Sequence, residues 1–194
     1  MTSVSAKKMS AAESQLLVVD MQERLLPAMH AGPRALERVL ALAGTAADLA
    51  IPWLCSEQYP QGLGPTVQPL AALLSADQPA LAKLAFSCVG EPALAARMSQ
   101  LRERAGRRQA IVTGIEAHVC VLQTCLDLLA QGFEVFVVAD AVDSRHPANH
   151  ALALDRMRQA GASIVSTEMV LFEWVGAAGT DAFKHVSRRV KGLS

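Results

Sequence analysis

An α/β fold, a three-layer α/β/α sandwich whose helices cover both faces of a mainly parallel sheet, is predicted by three observations. Short apolar runs alternate with helical stretches of ten or more residues, the order that βαβ crossovers impose. Those runs are continuous rather than alternating in polarity, as strands buried on both faces should be. The composition, 52% hydrophobic but only 4% aromatic, suits Ala-, Leu- and Val-rich helices packed on a buried sheet. The 194 residues fit one domain with a substantial core. Residues 1–13 are small and polar and are expected to be mobile, and residues 14–194 are expected to form a single domain.

Each element has its own signal. "QLLVVD" (15–20) is an apolar, β-branched run ending in an acid, a buried strand by type. "PRALERVLALAGTAADLA" (33–50) carries Leu36, Val39, Leu40 and Ala43 at helical spacing, with Pro33 at a helix start. "IPWLC" (51–55) is the second strand, and "SEQYPQGLGPTVQ" (56–68) a loop punctuated by Gly and Pro, followed by a short helix through Leu74. "ALAKLAFS" (80–87) fits a short extended piece. "EPALAARMSQLRERA" (91–105) is an amphipathic helix with basic residues toward its C-terminus, where the helix dipole favours them. "QAIVTG" (109–114), "EVFVVAD" (134–140) and "SIVST" (163–167) are the remaining strands. Helices are expected over 117–131 and 146–161, the latter closed by Gly161, and again after the last strand.

Charge and composition exclude several classes of function. Lys plus Arg and Asp plus Glu both number 18, a formal net charge of zero, so no global field recruits nucleic acid or an anionic membrane. Low net charge and an apolar composition are instead suited to a buried interface between copies. Four cysteines, with no C-x-x-C among them, do not make a disulfide scaffold. The first residues lack an apolar secretory core, and no apolar run reaches the roughly 18 residues of a membrane span. These features predict a cytoplasmic protein with no nucleic-acid or membrane partner.

In open parallel sheets, ligands bind outside the carboxyl ends of the strands. The polar residues ending the apolar runs are therefore the candidates: Asp20, Ser56-Glu57-Gln58, the Gly114–Cys120 turn, and Asp140 to Arg145. Lys83 lies within the apolar "ALAKLAFS", so its ammonium must either reach solvent or meet an anion. Asp20 alone could equally be a helix cap or a solvated carboxylate. Cys125 shares a helical stripe with Leu122, Leu126 and Leu129 and reads as a small core hydrophobe. Cys120 falls in the first helical turn, where backbone N–H groups and the dipole are expected to lower a thiol pKa; a packed thiol at a helix start is the alternative. His146 and His150 have a spacing that metal ligands use, but on a polar helix face they read as surface residues.

Taken together, "LLVVDMQERLLPAM" (16–29), "KLAFSC" (83–88), "VTGIEAHVCVLQTCLDLLAQG" (112–132) and "VVADAVDSR" (137–145) resemble the isochorismatase-like cysteine hydrolases. That family includes nicotinamidases, N-carbamoylsarcosine amidases and isochorismatases. "SEQYPQGLGPT" (56–66) narrows the likeness to the isochorismatase domain-containing proteins, and the resemblance spans nearly the whole chain. It implies the family's Rossmann-like sheet and a catalytic triad at Asp20, Lys83 and Cys120. It also implies a cis peptide between Ile115 and Glu116, and an oxyanion hole formed by the backbone N–H groups of Glu116 and Cys120. Gln22, Tyr59, Phe86 and His118, together with Glu116, are the candidate pocket residues. Assembly as a dimer or tetramer is implied as well.

The implied chemistry is hydrolysis of a small amide, ureide or carbamoyl C–N bond through a thioester. Ester or thioester hydrolysis, isochorismatase-type chemistry, or a non-catalytic oligomeric binding role are the alternatives. Nicotinamidases carry Asp and His metal ligands after the second strand. "SEQYPQGLGPTVQ" has neither, so no metal and no other cofactor is expected, and nicotinamide is disfavoured as substrate. Siderophore-pathway isochorismatases lack the nucleophilic cysteine, whereas Cys120 is present here.

Overall fold

A computed structural model describes residues 8–193 of the protein. Six strands, β1 (Ser14–Val19), β2 (Trp53–Gln58), β3 (Leu81–Lys83), β4 (Gln109–Ile115), β5 (Glu134–Asp143) and β6 (Ser163–Val165), form one sheet in the order β3-β2-β1-β4-β5-β6. Every pairing is parallel. The longer helices are α1 (Gly32–Asp48), α2 (Pro92–Ala105), α3 (Leu122–Ala130), α4 (Pro147–Gln159), α5 (Thr167–Val175) and α6 (Asp181–Lys191). Single helical turns occur at Pro60–Leu63 and Gln68–Ala71.

Parity along β1 explains the layering. Leu16 and Val18 point into an apolar cluster with Val39 and Leu42 of α1, Leu171 and Trp174 of α5 and Val186 of α6. Leu17 and Val19 point the other way, onto Leu94 and Met98 of α2, Cys125 and Leu128 of α3 and Met157 of α4. All six residues of β1 are buried, the consequence of covering both faces of a parallel sheet. The chain therefore folds as an α/β sandwich of three layers.

Three boundaries differ from the sequence-based expectation. Residues 1–7 of the expected mobile segment lie outside the described residues, but residues 9–13 do not fit that description. Met9 is 1% exposed in the core, its N–H donates to Glu173 Oε2 at 2.6 Å, and Ser10 N–H donates to Gln109 Oε1 at 2.8 Å. The second strand runs to Gln58 rather than ending at Cys55, because Ser56, Glu57 and Gln58 pair with Leu81, Ala82 and Lys83 of β3. The helix expected from residue 117 opens as a wide π turn, Ala117–Val121, before the α-helical α3 begins. Its buried face is Leu122, Cys125 and Leu128, with Leu126 and Leu129 only partly covered.

β1 is the strand at which the sheet order reverses, with β2 and β3 on one side and β4 to β6 on the other. A crevice opens at the carboxyl ends of such strands. Asp20 follows β1, Lys83 ends β3, and the turn after β4 carries Glu116 and Cys120.

Candidate active site

Asp20 sits one residue past β1 with φ +52, a left-handed conformation that Asp tolerates better than most side chains. Its N–H donates to Ser56 O at 3.1 Å, and its carboxylate is wholly buried. Oδ1 accepts from Ser56 Oγ at 2.7 Å. Oδ2 meets Lys83 Nζ at 2.8 Å, with both side chains at 0% exposure, and has no further hydrogen-bond partner among the described residues.

The Lys83 ammonium is enclosed by acceptors. Besides Asp20 it donates to Gln58 Oε1 at 2.7 Å, to Phe86 O at 2.9 Å and to Ala85 O at 3.3 Å. Burial pulls this lysine toward neutrality, but the Asp20 charge, with contributions from Cys120 and Cys88, outweighs burial and holds its pKa above the ordinary value. Of the two fates open to a lysine in an apolar run, this one meets an anion.

Cys120 lies in the π turn, 5% exposed, with Sγ 4.0 Å from Gln58 Oε1. The charges of Asp20 and Lys83 both act on the thiol. The helix-start argument, which expected a lowered thiol pKa, does not hold. Burial raises it strongly, the Asp20 charge raises it further, and Lys83 offsets only part of the rise. The resting site is therefore a neutral thiol facing a carboxylate–ammonium pair. Cys55 and Cys88 are pushed up by burial to about 12 and about 11, and Cys125, fully buried, is raised as well.

The peptide bond between Ile115 and Glu116 is cis. Glu116 O accepts the N–H groups of Val119 and Val121 at 3.1 and 3.2 Å. The N–H groups of Glu116 and Cys120 have no partner outside their own elements among the described residues. Just before this turn, Gly114 has φ +106, and a Cβ there would lie 2.0 Å from Val19 O. Only glycine lets β4 pass this close to the end of β1, which is what brings the Cys120 turn over Asp20.

The remaining sequence candidates separate. Gln22 is wholly buried and saturated: Nε2 donates to Gln58 O at 3.0 Å and Gly64 O at 2.7 Å, and Oε1 accepts Gln58 N–H at 2.8 Å. It anchors the end of β2 through these bonds. The Glu116 side chain is buried and accepts from Arg145 N at 3.1 Å and Arg145 Nε at 3.0 Å. His118 Nδ1 lies 3.0 Å from Ser144 Oγ. Tyr59 and Phe86 are half exposed and joined to Lys83 through the backbone, Tyr59 N–H donating to Lys83 O at 2.9 Å and Phe86 O accepting from Nζ.

Gln58 and Ser56 received no role from the sequence beyond ending a run. Their signal was the polar triplet after "IPWLC", whose reach to Lys83 and Asp20 depends on a strand pairing that periodicity does not reveal. Among the described residues no group of three or more His, Cys, Asp or Glu side chains is arranged to hold a metal ion. His150 instead places Nε2 3.2 Å from Ala139 O. No helix among the described residues is long and apolar enough to cross a membrane.

The chain is similar in sequence and fold to known proteins. Isochorismatase domain-containing protein 2 of Pongo abelii is 40% identical over 178 residues, which is 92% of this chain and 83% of that one. The structure of the MAR1 ribonuclease of Caenorhabditis elegans superposes with a TM-score of 0.87 at 34% identity, covering 95% of this chain and 93% of that one. The Escherichia coli YcaC gene product, described as an octameric hydrolase of unknown specificity, superposes with a TM-score of 0.84 at 26% identity, covering 96% and 94%. The isochorismatase domain model matches residues 14–169, and with a sheet, a relative and a sequence profile in agreement, the chain belongs to the isochorismatase family.

Proposed function

We propose that the protein is a cysteine hydrolase that cleaves a small amide, ureide or carbamoyl C–N bond through a covalent thioester. The observation that carries this reading is the buried Asp20–Lys83 ion pair at 2.8 Å, set against the Cys120 thiol. A structural role alone gives no reason to bury such a pair, since apolar residues of similar volume fill a core at no greater cost.

In the proposed reaction Asp20 takes the Cys120 proton as Sγ attacks the carbonyl carbon, and Lys83 stabilises the charge that builds on the sulfur. The raised thiol pKa supports a base-assisted attack rather than a preformed thiolate. The N–H groups of Glu116 and Cys120 hold the tetrahedral oxyanion; a donor of that kind contributes about 3 kcal/mol in the transition state. Collapse breaks the C–N bond, and Asp20 returns its proton to the departing amine. Water, deprotonated by Asp20, then hydrolyses the thioester. Catalysis needs no metal or other cofactor in this scheme.

Tyr59, Phe86 and Leu84, which is 73% exposed, form an apolar surface beside Lys83. We assign it to the substrate entrance and to contact with a second copy in a homo-oligomer, for which the octameric E. coli neighbour is a precedent. The four free thiols suit a reducing cytoplasm. Against the ribonuclease activity named for the C. elegans neighbour stands the cation beside the thiol: Lys83 already has Asp20, Gln58 and two carbonyls as partners and offers nothing to a phosphate.

The test is ammonia or amine release from a panel of small amides, ureides and carbamoyl compounds, with Cys120→Ala as control. Activity should vanish in the control. Release that persists without the thiol, or cleavage of RNA in place of every amide, would sink the proposal.

A further inference from the structure

If Asp20 carries the proton, whatever holds its other oxygen governs how strong a base it is. Oδ2 meets Lys83, and Oδ1 is held by Ser56 Oγ at 2.7 Å. Ser56 also accepts the Asp20 N–H at 3.1 Å through its own carbonyl, so it grips both the backbone and the side chain of the acid. Ser56 has 0% exposure, and no solvent competes for the bond. Its Oγ lies 3.5 Å from the thiol of Cys88, which donates to it, leaving the hydroxyl proton to Asp20.

The groups acting on the carboxylate from its surroundings are Lys83 of β3, Cys120 of the π turn, Cys88 of the turn before α2, and Ser56 and Cys55 of β2. The thiols are neutral, so Lys83 and Ser56 are the two groups that stabilise the anion. A hydroxyl donating to a carboxylate favours the charged form. It also fixes the carboxylate plane, turning Oδ2 toward Lys83 and the thiol.

We propose that Ser56 is a positioning residue that restrains the basicity of Asp20, and thereby sets the rate and the pH range over which Cys120 acts as a nucleophile. The inference rests on the proposed thiol chemistry, with Asp20 as the base. Without the hydroxyl, Asp20 holds a proton more strongly. The state with a thiolate beside a protonated Asp20 then gains about ten-fold in population, the low end of what a hydrogen bond to a charged group contributes.

The test follows alkylation of Cys120 by iodoacetamide, using mass spectrometry of the full chain, from about pH 5 to about pH 9, between the values of a free carboxylate and a free thiol. Wild type is compared with Ser56→Ala, Ser56→Thr and Ser56→Val, and Cys120→Ala identifies the signal. Ser56→Ala and Ser56→Val should run about ten-fold above wild type where the profile is level. Ser56→Thr, which keeps the hydroxyl, should follow wild type. The Thr and Val variants have the same shape, so the comparison survives if Ser56→Ala does not fold. Profiles of Ser56→Ala and Ser56→Val that coincide with wild type, or a Ser56→Thr profile that departs as far as theirs, would overturn the role of Ser56 alone. Wild-type labelling of Cys120 no faster than that of Cys88 and Cys125 would overturn both this role and the nucleophile itself.

Discussion

Replacing Lys83 with Met removes the ammonium but keeps much of the stem volume, leaving the Asp20 carboxylate buried beside a thiol. At 2.8 Å and an effective dielectric near 20, the lost attraction is about 6 kcal/mol before desolvation is counted. Removing one partner of a buried pair costs about 3–5 kcal/mol in practice. Because Ser56 still holds Oδ1, the lower end, about 3 kcal/mol, is expected. For a domain of this length that is a fall in melting temperature of about 6–12 °C. Trp53 and Trp174, both in the core, report unfolding by fluorescence in a urea titration. The Asp20→Asn/Lys83→Met double variant should recover at least half of the loss, since the orphaned charge is gone. A single variant within about 0.5 kcal/mol of wild type would refute the reasoning, since a change that small is what a surface substitution gives. So would a double variant as unstable as the single.

Alkaline pH gives a second expectation. The thiols of Cys55, Cys88, Cys120 and Cys125 are all held above their unfolded value of 9.0, so the folded chain keeps protons that the unfolded chain loses. Their contribution is complete below about pH 9 and falls by about 1.4 kcal/mol per thiol per pH unit above it. Lys83, also raised, adds to the loss in the same direction above its own unfolded value of 10.5. From about pH 8 to about pH 10 the four thiols together remove about 5 kcal/mol, seen as a collapse of the urea midpoint; a midpoint that is flat over that interval would contradict their burial. Gly114→Ala should cost at least about 2 kcal/mol, from a Cβ driven against Val19 O at positive φ. Under the proposed function, its rate in the amide-release assay should fall further than the stability loss explains, and a variant with native activity would show that β4 can retreat from β1.

The parts of this molecule that were legible in the sequence are those set by local pattern. "QLLVVD" and "QAIVTG" announce buried parallel strands because nothing polar interrupts them, and Cys125 reads as core because its neighbours repeat at helical spacing. The boundary errors share one cause, contacts made far along the chain. β2 continues through Ser56–Gln58 only because β3 lies beside it, and Met9 is ordered because the core and Glu173 receive it. The same holds in the site. Asp20, Lys83 and Cys120 stand out through their types and motifs, but Gln58 and Ser56 matter through side-chain reach across neighbouring strands. The thiol was misjudged for an electrostatic reason: a dipole at a helix start was weighed without the burial and the carboxylate that oppose it.

Lys83 ends a strand of three residues that pairs with β2 alone at the edge of the sheet. Short edge elements are the first to open in sub-global fluctuations, and when this one opens Asp20 loses its cation while the rest of the core stays folded. A chain whose edge strand is undocked therefore carries the Asp20 carboxylate without its cation. The edge strand acts as an interlock, because the Asp20–Lys83 pair is complete only when the outermost strand has docked.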